Sequence, residues 1–139
     1  MSTRLSTITF TVVAHEVTPV VDGRSLTDLA TEFETSREME QSGGYAGVAH
    51  VHQRFGPLDA FYLGESEWTE KGFTELLSCA GCGEVGCWPL EAKIVVTDAT
   101  VTWEGLRQPH RPERDYRGLG PFIFSTSEYD AAVTSAAPR

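Results

Sequence analysis

A chain of 139 residues and 15.2 kDa has room for one domain that buries about two thirds of its unfolded surface. With 20 acidic against 11 basic residues the net charge is −9, which opposes general binding to phosphate backbones. No apolar run approaches the about 20 residues of a membrane helix, and Met1-Ser2-Thr3-Arg4-Leu5 has no secretion signal, so a cytoplasmic protein without a membrane partner is expected.

Thr7 to Val13 alternates, with Ile8, Phe10 and Val12 on one side, and predicts a half-buried strand. A second extended piece is expected over Val17 to Val21, followed by the turn residues Asp22-Gly23. Ser25 then reads as a helix N-cap, with Asp28 placed to reach back to it. Leu26, Leu29, Ala30 and Phe33 share a face, so a helix is expected from about Leu26 to Met39. Glu32, Glu34 and Glu38 should turn toward water, and Ser42-Gly43-Gly44 should end the element.

Tyr45 to Val51 reads as a strand and Leu58 to Leu63 as an apolar piece. His50 and His52 fall on one side of that strand about 7 Å apart, a spacing that metal sites use and that ordinary surface residues also show. Glu65 to Lys71, which holds Trp68, is expected to form a loop or a helical turn, and Phe73 to Leu77 leads into the cysteines. Leu90 to Thr97 and Thr100 to Glu104 predict a hairpin with Asp98-Ala99 at its tip, in which the numbers of facing residues sum to 197. That register pairs Lys93 with Glu104, Ile94 with Trp103 and Val96 with Val101, and it sets His110 opposite Cys87.

Gln108 to Pro121 carries three prolines and two glycines and is expected to be a loop. Phe122-Ile123-Phe124 reads as a last strand, and Ser125 with Glu128 as a capping box for a short helix through about Val133, with a frayed tail from about Ser135. The sum is a single α+β domain over residues 1–139, with an antiparallel sheet of about five or six strands, one longer helix and one short C-terminal helix.

The chemistry concentrates in nine residues, Cys79-Ala80-Gly81-Cys82-Gly83-Glu84-Val85-Gly86-Cys87, which hold all three cysteines. Two cysteines separated by two residues can bite one ion; Cys87 adds a third thiolate and His110 a fourth ligand, so a structural zinc knuckle is expected. Inert cysteines and redox work are the alternatives, and Gly83, Gly86 and Pro89 oppose the helix that a redox Cys-x-x-Cys opens. A small zinc-dependent enzyme is a further alternative, with water completing a site of three thiolates and Glu84 near enough to act as base.

Arg107, Arg111, Arg114 and Arg117 lie within eleven residues, and guanidiniums on a proline-stiffened loop suit a carboxylate or phosphate. Glu113 and Asp115 could instead pair with them internally. Trp88 and Trp103 read as core rather than ligand platform. The expected function is a non-enzymatic binding or regulatory module whose zinc knuckle supports an arginine loop facing a protein partner or a small anionic ligand. An acidic immunity-type protein that neutralises a basic partner is a third reading, resting on net charge alone.

Leu76-Leu77 with Cys79, then Cys82-Gly83-Glu84-Val85-Gly86-Cys87-Trp88-Pro89-Leu90, Trp103, Gln108-Pro109-His110-Arg111, Tyr116, Leu119-Gly120-Pro121-Phe122 and Phe124 resemble a family of small actinobacterial proteins. The likeness covers the C-terminal half and, more loosely, Asp22 to Leu26. It departs from that family at the first two cysteines, which are separated there by one residue and here by Ala80 and Gly81. The resemblance implies no activity.

Overall fold

Alternating Thr and apolar residues build the first hairpin. In the computed structural model, which describes residues 5–13, 16–40, 42–49, 61–65, 72–80 and 88–136, β1 (Ile8–Val13) pairs antiparallel with β2 (Glu16–Val21). Pro19 stands opposite Phe10 within β2. The Ile8 N–H points away from β2 to Glu128 Oε1, so by alternation Phe10 and Pro19 form a pair that exchanges no ladder bond, and the missing proline N–H costs nothing toward β1.

The short β3 (Arg24–Ser25) leads into helix α1 (Leu26–Ser36), whose Ser25 cap accepts the Asp28 N–H at 3.2 Å as expected. The helix stops three residues before Met39 because Glu38 turns left-handed at φ 56°. Glu38 N–H then bonds the Thr35 carbonyl and Met39 N–H the Glu34 carbonyl, both at 3.0 Å, which is the Schellman pattern. The expected run from Tyr45 to Val51 divides into β4 (Tyr45–Ala46) and β5 (Val48–Ala49), which join different sheets. Gly47 allows the crossing, because a Cβ there would sit 2.3 Å from Thr18 Oγ1 and 2.7 Å from the Val17 carbonyl oxygen.

β6 (Phe73–Cys79), β7 (Leu90–Val96), β8 (Thr100–Arg107) and β9 (Phe122–Ser125) complete an antiparallel sheet in the order β4-β6-β7-β8-β9, while β1, β2, β3 and β5 form the smaller one. The expected strands are therefore present but shared between two sheets. The β7–β8 register pairs Lys93 with Glu104, Ile94 with Trp103 and Val96 with Val101, as the hairpin arithmetic requires.

Helix α2 (Thr126–Ala136) follows β9 directly. Ser125 Oγ accepts the Glu128 N–H at 3.1 Å, but the Glu128 carboxylate reaches the Ile8 N–H on β1 instead of closing a capping box. One apolar core joins both sheets and both helices, with Trp103, Phe124, Tyr129 and Tyr62 at its centre. Phe61 and Tyr62, within the apolar piece expected over Leu58 to Leu63, are helical; the rest of that piece before Phe61, the His50 and His52 pair and Trp68 lie outside the described residues. Among the described residues no helix is long and apolar enough to cross a membrane.

Candidate functional site: the cysteine segment and the arginine loop

β6 ends at Cys79, which is half-buried and lies opposite Tyr45 of β4. The next residue, Ala80, donates its N–H to the Gly44 carbonyl at 2.9 Å. On the return, Trp88 donates its indole N–H to the Gly43 carbonyl at 3.2 Å. The segment between them therefore leaves and rejoins the fold at neighbouring residues. Cys82, Cys87 and Glu84 lie outside the described residues, and among the described residues no three His, Cys, Asp or Glu side chains gather as a metal-holding group.

His110 is exposed, in a turn where Arg111 N–H bonds the Gln108 carbonyl at 2.9 Å. The Gln108 side chain is buried and ties that turn inward, its Oε1 accepting the His110 N–H at 3.1 Å and its Nε2 donating to the Tyr45 hydroxyl at 3.4 Å. The register that placed His110 opposite Cys87 does not persist to the end of the hairpin. Between Lys93 and Glu91 the pairing slips, so that Glu91 faces Arg107 and the facing numbers sum to 198. Gly105, at φ +63°, lies in β8 where that slip occurs.

Three of the four arginines are paired with acidic side chains. Arg107 donates to Glu91 at 2.9 Å, with its guanidinium 3.6 Å from the centre of the Phe73 ring. Glu91 in turn lies opposite Glu75, whose carboxylate accepts the Ser78 hydroxyl at 2.5 Å; an irregularity after Glu75 puts these two side chains on one face. Arg114 pairs with Glu34 at 3.1 Å, and both side chains are nearly or wholly buried. Arg117 pairs with Asp115 at 2.8 Å in the open, and the side-chain and backbone N–H groups of Arg117 hold the Asp115 carboxyl well below its usual range. Arg111 places its guanidinium 5.1 Å from the Trp88 ring centre, with Arg114 5.6 Å from the same ring.

Glu34 was expected to face water and is instead fully buried. The reason is helical spacing: Leu26, Ala30 and Glu34 follow at intervals of four and share one stripe. Its Oε1 accepts the Gly43 N–H at 2.7 Å, and its Oε2 accepts from Tyr45 at 2.8 Å, from Arg114, and from Tyr116 in a very short bond. Arg114 also donates to the Glu40 carbonyl and, at 3.2 Å, to the Tyr116 hydroxyl. One carboxylate thus fastens the end of α1, the start of β4 and the 108–121 loop together. The fastened loop borders an open cleft of about 540 Å³, lined in part by Leu106, Pro112, Arg114, Tyr116 and Arg117.

All four tyrosines, Tyr45, Tyr62, Tyr116 and Tyr129, are pushed above the ordinary value of 10.0, chiefly by burial. Burial favours the neutral phenol, so the folded state holds these protons more tightly than the unfolded one; the resulting stability is complete below pH 10.0 and lost as pH rises above it. Absorbance titration of tyrosinate is expected to show no ionisation until alkaline unfolding, where all four phenols appear in one step. A phenol titrating near its ordinary value in the native protein would contradict this burial.

No family model matches the chain, and no curated protein or solved structure is similar to it.

Proposed function

We propose that the protein is a non-enzymatic binding or regulatory module. In this reading a structural zinc ion on Cys79, Cys82, Cys87 and His110 holds the cysteine segment against the 108–121 loop, and the loop offers Arg111 and Arg117 to a carboxylate-bearing partner protein. The observation that carries the reading is the stacking of Arg111 and Arg114 on Trp88, the residue directly after Cys87, which links the two segments. Arg107 and Arg114, matched by Glu91 and Glu34, position the loop. Arg117 and Asp115 leave 91% and 51% of their side chains exposed, so a partner's carboxylate can exchange into that pair at little cost.

Elemental analysis of untagged protein purified without added metal is expected to find about one zinc per chain, lost on Cys87→Ala. Binding of an oligoglutamate peptide, followed by intrinsic fluorescence, should weaken about tenfold or more on Arg111→Glu, with inorganic phosphate binding far less well. A metal-free protein with protected fold and unchanged peptide binding in Arg111→Glu would overturn the proposal.

A further inference from the structure

The cleft beside the arginine loop originates where the sheet stops. β8 pairs with β9 only as far as Trp103 opposite Phe122, since Pro121 brings no N–H to the ladder and Gly120, at φ +84°, turns the chain aside. Glu104, Gly105 and Leu106 therefore have the 112–121 loop across from them in place of a strand. The space left between is the open cleft of about 540 Å³. Ligand sites occupy about 300–1,000 Å³, so a large side chain fits here with the backbone that carries it.

Its floor is apolar and held in place. A Cβ on Gly120 would lie 3.0 Å from Leu106 Cδ1, so glycine lets the loop close onto that leucine. Leu119 and Tyr116 line the same space; Tyr116 stacks on Phe33 at 5.8 Å and donates its hydroxyl to Glu34. Pro112 and Pro121, both exposed, stiffen the walls. Arg117 stands at the rim, where Asp115 takes its Nε and Nη2 and Nη1 is left for an incoming group. Neither neighbouring carboxylate calls for a cation, because Glu104 faces Lys93 on β7 and Glu113 adjoins Arg111 and Arg114.

We infer that the loop reads two neighbouring side chains of its partner: an acidic one at Arg117 and, within two residues of it, a large apolar one such as leucine, seated on Leu106, Tyr116 and Leu119. The inference rests on the loop being a carboxylate site, and it adds the residue type that must stand beside the carboxylate. Residues i and i+2 of an extended segment lie about 7 Å apart on one side, so a single strand of the partner delivers both. A charged side chain on this floor would be desolvated without a counter-charge, whereas leucine gains by leaving water. An exposed arginine alone accepts any carboxylate; the cleft selects among them.

The test uses an oligoglutamate peptide whose central residue is glutamate, leucine, serine or lysine, each titrated into isotope-labelled protein and followed by amide chemical shifts. The leucine peptide should bind about tenfold or more tightly than the serine peptide, and it should shift the amides of Leu106 and Leu119, which the serine peptide leaves in place. Pro112→Gln, an exposed change that keeps the charge, should cut that advantage about threefold or more and leave the affinity of the serine peptide unchanged. Equal affinity for the leucine and serine peptides would overturn the inference while recognition of the carboxylate stands. A lysine peptide that binds as tightly as the leucine one would overturn it too, since the cleft would then be a cation site. Binding of none of these peptides removes the carboxylate reading itself, and this inference with it.

Discussion

Replacing Glu34 by glutamine is expected to lower stability by about 3–5 kcal/mol, the range for a buried ion pair that loses one charge. Arg114 keeps only 7% of its side chain exposed and would be left as a buried cation without its counter-charge. The amide also has one acceptor oxygen where four donors converge: the Gly43 N–H, the Tyr45 and Tyr116 hydroxyls and Arg114. For a domain of this size the melting temperature should fall by about 10–15 °C. Glu32→Gln, two residues earlier on the exposed face, should leave it unchanged, because that pair with Arg24 is open to water. Adding Arg114→Met to Glu34→Gln should restore part of the loss, since removing both charges removes the uncompensated one. Equal melting temperatures for the Glu34 and Glu32 variants would show that the carboxylate does not hold the 108–121 loop.

Tyr129→Phe is expected to cost about 2–6 kcal/mol although it removes one oxygen. The Trp103 indole N–H donates to the Tyr129 hydroxyl at 3.1 Å, and that hydroxyl donates to the Tyr62 carbonyl at 2.5 Å. Trp103 and Tyr129 are wholly buried and Tyr62 almost so, so phenylalanine leaves one donor and one acceptor without water to replace the lost bonds. Each such group costs about 1–3 kcal/mol, whereas the ring packing on Phe124 and Trp103 is retained. Denaturant unfolding should therefore show a lower midpoint with an unchanged slope. A midpoint shift equivalent to less than about 0.5 kcal/mol would mean that the chain from Trp103 through Tyr129 to Tyr62 does not form.

Local patterns carried much of the fold. Ser25 caps α1 and Ser125 caps α2 because a hydroxyl before a helix meets an N–H on its own first turn, a bond that depends on nothing distant. The β7–β8 register was equally legible near its tip, where Thr97 Oγ1 accepts the Thr100 N–H at 2.9 Å and period-two alternation pairs Ile94 with Trp103. It failed farther out, at the slip between Lys93 and Glu91, because a bulge shifts all later pairs by one and leaves no period in the residues before it. Glu34 was misread for a different reason. Its position at four residues from Ala30 marked it as inward, but its charge argued for water, and only partners far along the chain decide between them.

By itself the sequence determined the α+β class, both helix starts, the central hairpin and the concentration of cysteines and arginines in two short segments. These follow from spacings of two to four residues, which local backbone geometry converts directly into faces and caps. The tertiary structure alone decided that the strands divide into two sheets at Gly47, that Glu91 and Glu34 take up Arg107 and Arg114, and that Glu128 secures β1. Each of these depends on groups brought together across long stretches of chain, where the outcome is set by which charges and backbone donors are buried side by side, and no local period encodes that.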